Sequence, residues 1–387
     1  MKIVHIAPVA PYNDYWGYQE NLLPKYQKML GHDVTLIITN LMHRDGKIVA
    51  TEPSDYTLND GVRIIRLAKK AYPSGILTNL MSKIDVLPIL NEIQPDFIFY
   101  HGLLGTTIND AIKYKTKTNP DCVIVQDNHL DYFNGPKANS LKTKLIRAFS
   151  RYINRKSIKH VDRVYGVTPW RKEFAEDYFK IPKSKTDVLI MGADDEKINL
   201  SEKGLIRSTI RNKYGIKDTD FLIVSGGKID KSKGFDLLLK ACKDLDNVKI
   251  LLFGNILDDV KAEFSQLLNE VSNAIYIGWI DADKVYDYFI ASDLVCFPGS
   301  HSVMWEQACA CKVPCLFKHW EGMEHVNNGG NSVLIDEITE ESLRTTINEL
   351  CNTEKYENMR SVANSEATDI YLYSSIAKKS LECKVIQ

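Results

Sequence analysis

The sequence predicts an α/β protein made of two doubly wound domains. Three observations carry that expectation. Short β-branched apolar runs alternate with longer amphipathic stretches along the chain. Most runs are continuously apolar rather than alternating, as parallel strands covered on both faces are. One polar, charged break, Met191–Asp218 with MGADDEKINLSEKG inside it, divides the pattern before the strong run FLIVS. A chain of 387 residues suits two or three domains at roughly 150 residues each.

Taken in order, the first-half strands are expected at Lys2–Ile6, Val34–Thr39, Val62–Leu67, Asp96–Tyr100, Cys122–Gln126, Arg163–Val167 and Asp187–Ile190. The second half offers Phe221–Ser225, Val248–Phe253, Ala274–Ile277, Leu294–Phe297, Val313–Phe317 and Ser332–Ile335. Each is a short run rich in Val, Ile, Leu and Phe, bounded by turn residues. The helical stretches between them supply the crossovers that parallel strands need. Residues 1–192 form one expected domain and 193–369 the second, with a helix over about 370–387 returning to the first.

Lys plus Arg is 49 and Asp plus Glu is 50, leaving a net charge of −1. That balance argues against a dedicated nucleic-acid binder. No apolar run approaches the roughly 18 residues of a membrane helix. MKIVHIAP enters a strand directly and lacks the plan of a signal peptide. Eight cysteines are too sparse for a disulfide scaffold. Cys309, Cys311 and Cys315 cluster among small apolar neighbours, without partners at zinc-finger spacing, and read as reduced core thiols. The expected compartment is the reducing cytoplasm.

In doubly wound sheets, ligands bind beyond the carboxyl ends of strands. Three loops there carry chemistry. After the first strand, APVAPYNDYWGYQENLLPKY places Gly17 before an amphipathic helix, where backbone N–H groups can approach an anion. It also reads as a plain strand-to-helix turn. FLIVSGGKIDKSKGFD ends a strand in Gly226 and Gly227 and supplies Lys228 and Lys233, two cations able to clamp a diphosphate. A solvated lysine turn is the other reading. In FPGSHSVMWEQACACKVP, the N–H groups of Ser302 and Val303 fall at a helix start. Glu306, one turn in, can accept hydrogen bonds from a ribose diol or merely favour the helix dipole.

Together these residues resemble the retaining GT-B glycosyltransferases of glycosyltransferase family 4. WGYQENLLPKYQKMLGHDVTLIIT looks like the family's Gly-rich loop, first helix and second strand. PDFIFYHG, SGGKIDKSKGFDLLLKA, IYIGWIDADKVYDYFIASDLVCFPGS and WEQACACKVPCLF look like its later motifs, in order. The resemblance implies two Rossmann-like domains facing a cleft. It implies that Lys228 and Lys233 bind phosphate, that His129 reaches the donor sugar, and that Gly17 and Gly227 lie near the diphosphate. Trp279 and Ile280 fall where the base packs, and Glu306 where the donor ribose is held. The first acid of the family's E-x7-E motif should stand at 298, and Pro298 stands there instead, with Ser300 and His301 as nearby polar substitutes.

The implied activity is transfer of a sugar from a UDP- or GDP-sugar to a saccharide or lipid-linked acceptor, with retention and with no metal or other cofactor. Pro298 motivates an alternative, a non-catalytic GT-B partner or sugar-binding protein. Residues 137–163 carry nine cations (Lys137, Lys142, Lys144, Arg147, Arg151, Arg155, Lys156, Lys159 and Arg163) against Asp162 alone, a net +8. Leu141, Leu145, Phe149, Tyr152 and Ile153 recur there at helical spacing. Such a helix can lie on an anionic membrane, on the inner face of the cell membrane, or it can be a core helix with a solvated basic face.

Overall fold

The computed structural model describes residues 1–132, 140–351 and 353–383. The chain divides into two compact units, Met1–Ile190 with Ile376–Gln387, and Met191–Ser375.

The strands of the first unit are β1 (Lys2–Ala7), β2 (Asp33–Thr39), β3 (Leu41–Arg44), β4 (Lys47–Ala50), β5 (Ser54–Thr57), β6 (Arg63–Leu67), β7 (Phe97–Tyr100), β8 (Val123–Asn128), β9 (Arg163–Gly166) and β10 (Thr186–Val188). Eight of them form one sheet in the order β10-β9-β8-β7-β1-β2-β6-β5. All its pairs are parallel except β5 against β6. Helices α1 (Gln19–Met29), α2 (Gly75–Met81), α3 (Leu87–Ile93), α4 (Ile108–Lys117), α5 (Leu141–Ser157) and α6 (Pro169–Asp177) make the crossovers. Val4, Ile6, Ile98, Tyr100, Ile124 and Val164 are fully buried with Phe174 and Phe179 in one apolar cluster. Continuous apolar strands are what two covered faces demand.

Every first-half strand expected from sequence forms, within two residues of its expected bounds. Strands β3, β4 and β5 were not expected. The pair β3–β4 is a separate two-stranded ribbon turning at Asp45-Gly46, both with positive φ. Asp-Gly is the favoured two-residue hairpin turn.

The second unit holds β11 (Phe221–Gly226), β12 (Val248–Phe253), β13 (Ala274–Tyr276), β14 (Leu294–Phe297), β15 (Cys315–Lys318) and β16 (Ser332–Ile335). Their order is β13-β12-β11-β14-β15-β16, all parallel. Around them run α7 (Lys203–Lys213), α8 (Phe235–Cys242), α9 (Lys261–Glu270), α10 (Ala282–Ala291), α11 (Met304–Ala310), α12 (Glu340–Leu350) and α13 (Glu354–Ala363). The last helix, α14 (Tyr373–Ser380), begins in this unit and ends in the first. Cys309, Cys311 and Cys315 are fully buried, and burial raises the thiols of Cys311 and Cys315 well above their usual range.

In each sheet the chain crosses once from one side of its first strand to the other. In the first the switch lies between β1 and β7, in the second between β11 and β14. The crevice at such a point, beyond the carboxyl ends, is where open α/β sheets bind ligands.

Candidate functional site

At the switch point of the second unit two loops are stitched together. The loop after β11 carries Gly227, Lys228 and Lys233; the loop after β14 carries Pro298–Val303. Ser300 N–H donates to the Ser232 carbonyl at 2.9 Å, and the two serine hydroxyls lie 3.1 Å apart. Lys233 Nζ donates to the Ser300 carbonyl at 2.8 Å. Gly234 has φ +66°, and a Cβ there would stand 3.0 Å from the Pro298 carbonyl oxygen. Position 298 is thus spent on loop–loop packing. Burial pulls the Lys233 ammonium below its ordinary range, which Asp230 partly offsets. Lys228 differs. Its side chain is 62% exposed and lies 3.5 Å from Asp230.

Glu306 is fully buried in α11. Its Oε1 accepts from His301 Nε2 at 3.0 Å and from His325 Nε2 at 2.8 Å, and its Oε2 lies 3.2 Å from His301. Burial alone would raise this carboxyl; the two imidazoles outweigh it and hold the pKa near about 2. Glu306 was expected to accept from a ribose diol; here its two oxygens face the imidazoles of His301 and His325. The ligand atoms of His301, Glu306 and His325 lie within 4.8 Å of one another, a set able to hold a metal ion, which the sequence reading did not anticipate. Ser302 and Val303 stand just before α11, and Ser302 accepts from Trp305 N–H at 3.0 Å.

Gly227, Gly254 and Gly278 end three adjacent strands side by side. Gly254 N–H donates to Gly278 at 2.8 Å, and a Cβ on Gly254 would fall 1.7 Å from the Gly227 oxygen. Trp279 follows that row and is 71% exposed; Ile280 is half-buried beside it.

His129 and Gly17 belong to the first unit. His129, just past β8, sets Nε2 3.3 Å from Asp127 Oδ2. Burial lowers its pKa, but the Asp127 carboxylate, aided by Glu20, raises it overall. Asp127 is fully buried, and its pair of histidines holds it well below the usual carboxylate range against its desolvation. Its Oδ2 also meets His101 Nδ1 at 2.8 Å, and its Oδ1 accepts from Gly102 N–H at 2.6 Å. The chain of bonds runs on from His101 Nε2 to His5 Nδ1 at 3.0 Å, and from His5 Nε2 to Gln27 Oε1 at 2.7 Å. Gln27 Nε2 donates to Ser380 Oγ at 2.9 Å. His5, His101, Asp127 and Gln27 were not singled out from the sequence, nor was His325. A histidine inside the buried run KIVHIA was the available signal, since a buried polar ring needs partners.

A Cβ at Gly17 would meet nothing within 4 Å, so the local backbone does not require glycine there. Two residues on, both amide atoms of buried Gln19 have no partner among the described residues.

Residues 206–367, within the second unit, match the family described as Glycosyl transferases group 1. The chain is 21% identical over 147 residues to the alpha-galactosylglucosyldiacylglycerol synthase of Streptococcus pneumoniae, covering 36% of this chain and 39% of that protein. It is 23% identical over 205 residues to the D-inositol 3-phosphate glycosyltransferase of Rhodococcus jostii, covering 49% and 44%. The chain thus spans about two fifths of the length of these relatives. Solved structures align along nearly the whole chain. A glycosyltransferase from Rickettsia africae gives a TM-score of 0.69 at 17% identity, covering 98% and 97%. WaaG, a glycosyltransferase involved in lipopolysaccharide biosynthesis, gives 0.65 at 15%, covering 98% of each. Anabaena HepE in complex with UDP gives 0.66 at 18%, covering 99% of each. The fold is the GT-B fold expected from the sequence.

Proposed function

We propose that this protein is a retaining glycosyltransferase that uses a UDP- or GDP-sugar and a saccharide or lipid-linked saccharide acceptor, without a metal ion. The observation that carries this reading is Lys233, half-buried at a switch point and fixed on the Ser300 carbonyl beside Gly227 and the start of α11. A cation held there meets a departing diphosphate without reorganising, which is how charge development is best stabilised. In the proposed reaction the acceptor oxygen bonds to the anomeric carbon as its bond to the diphosphate oxygen breaks. The acceptor proton passes to that leaving oxygen on the same face. Lys233, with the more mobile Lys228, balances the leaving charge, and His129 on its Asp127 support meets the donor sugar.

Lys233→Ala is expected to lose most turnover while keeping its unfolding temperature, and EDTA is expected to change nothing. Wild-type turnover in that variant would remove the assignment. Turnover lost to EDTA and restored by a divalent ion would move His301, Glu306 and His325 from a hydrogen-bonded cluster to a metal site.

One observation favours a second reading. Pro298 is packed against the lysine loop, and both Glu306 oxygens are already taken. A non-catalytic partner or sugar-binding protein would tolerate both. Absence of UDP and GDP binding by calorimetry would favour it.

A further inference from the structure

Helix α5 is built inside out. Its buried face is polar: Arg147, Ser150, Asn154 and Ser157 are all buried, at spacings of three and four. Asn154 donates to the carbonyls of Leu103 and Ser150, each at 2.8 Å, and Arg147 lies over the Phe174 ring at 5.5 Å. Its exposed face is apolar. Leu141 is 75% exposed, Leu145 60% and Tyr152 53%, with Ala148 exposed between them. Positions 141, 145, 148 and 152 fall on one line of an α-helix. Of the apolar set expected from sequence, only Phe149 and Ile153 turn partly inward. Lys137 lies outside the described residues.

The exposed stripe has basic edges. Lys144, Arg151 and Arg155 follow one side and Lys156 the other, its Nζ 4.4 Å from the Tyr152 ring centre. Ala148, Arg151, Tyr152, Arg155 and Lys156 line a shallow depression of about 480 Å³. No acid lies between Leu141 and Ser157. Water-facing leucines are common singly, but four aligned apolar positions ringed by cations are not explained by solvation.

We propose that the Leu141–Leu145–Tyr152 face of α5 docks the protein on an anionic bilayer, with the leucines among the acyl chains and the depression on a lipid phosphate. Charge complementarity selects this occupant, because a stripe with basic edges and no acid is attracted by an anionic surface, is repelled by a cationic one and gains no such attraction from a neutral one. Apolar insertion and electrostatic attraction add in such helices. The inference deepens the proposed function, on which it rests for a lipid-linked acceptor.

The test is co-sedimentation of the full chain with phosphatidylglycerol–phosphatidylcholine vesicles and with phosphatidylcholine vesicles, at ~0.15 M salt. The chain should pellet with the anionic vesicles alone. Leu141→Glu with Leu145→Glu, and separately Arg151→Gln with Arg155→Gln, should each weaken binding by about tenfold or more. These side chains are exposed, so unfolding temperatures should hold. Thermal stabilisation by UDP and by GDP is read on the same samples. Failure to pellet, or leucine variants that bind like wild type, overturns docking and leaves donor binding standing. A dimer that Leu145→Glu dissolves, or vesicle binding abolished by millimolar inorganic phosphate, overturns it too. Pelleting without stabilisation by either UDP or GDP keeps the docking and removes the transferase reading.

Discussion

His5 lies in a central strand between Gln27 and His101, and burial, with His101 beside it, pulls its pKa down to about 3. The ring is therefore neutral in the folded protein across the ordinary pH range. An unfolded histidine takes its proton near pH 6.5, so the unfolded state binds more protons below that. Stability is expected to fall as pH drops from about 6.5 toward 3, by up to about 5 kcal/mol from this group. In His5→Asn, urea unfolding should show a smaller loss over that window. His129 has the opposite sign. Its pKa is raised, so the Asp127 pair stabilises fully below the unfolded value and weakens as pH rises through the folded one. The gap in unfolding temperature between wild type and His129→Ala should narrow from pH 6 to pH 9.

Proton bookkeeping reaches one residue further. With Gln27 Oε1 facing His5 and its Nε2 donating to Ser380, His5 Nε2 must donate and its Nδ1 must accept. His101 Nε2 then faces the accepting nitrogen of His5, and its Nδ1 faces Asp127 Oδ2. Nitrogen NMR of the neutral His5 ring should show Nε2 protonated and Nδ1 bare. The opposite tautomer would mean that the Gln27 amide is turned over and Ser380 Oγ swung away from the Ala377 carbonyl. This cluster was not legible in the sequence because its members come from four separate elements. Position 5 reads as one polar residue in an apolar run until β1, β7 and β8 are laid side by side.

At the scale of elements, apolar runs made the parallel strands legible, since a strand covered on both faces has little choice of composition. Helix α5 shows the converse. Its apolar periodicity was visible, but periodicity does not say which face meets the core, and here Asn154 and Ser150 do. Asn154→Ala should cost about 1–3 kcal/mol in chemical denaturation, because the Leu103 carbonyl loses its donor. The glycine row offers a harsher case. Gly254 has φ +124° and no room for a Cβ beside the Gly227 oxygen. Gly254→Ala should lose about 3 kcal/mol or more and disturb the Gly227 and Gly278 backbones on either side. Strands β3 and β4 escaped notice although Asp45-Gly46 marks their turn, because their mixed polar composition lacks the buried-strand signature. The β14–α11 loop was only half legible. Its motif located Ser302, Val303 and, one turn into α11, Glu306, while His325 joins from a separate short turn after β15 that no local pattern connects to it.

For the whole molecule, a net charge of −1 conceals a strongly basic helix in one unit and a paired lysine loop in the other. Global composition excluded a general polyanion binder and said nothing of where anions would be met. The family match over residues 206–367 falls on the unit with the lysine loop. The first unit carries the histidine chain and α5.

That histidine chain also bears on how the protein is made. Gln27, which orients His5, is anchored by Ser380, 353 residues later. Tyr165 meets Cys383 at 3.3 Å in the same way. During synthesis the first unit emerges early, yet its hydrogen-bonded core cannot close until the last helix clears the ribosome. The intervening unit has its whole sheet in hand long before that. The second unit is therefore expected to mature first, with the amino-terminal half held open as the slow partner. Released chains truncated after Ser375 should resist protease over 191–375 and be cut readily before Ile190.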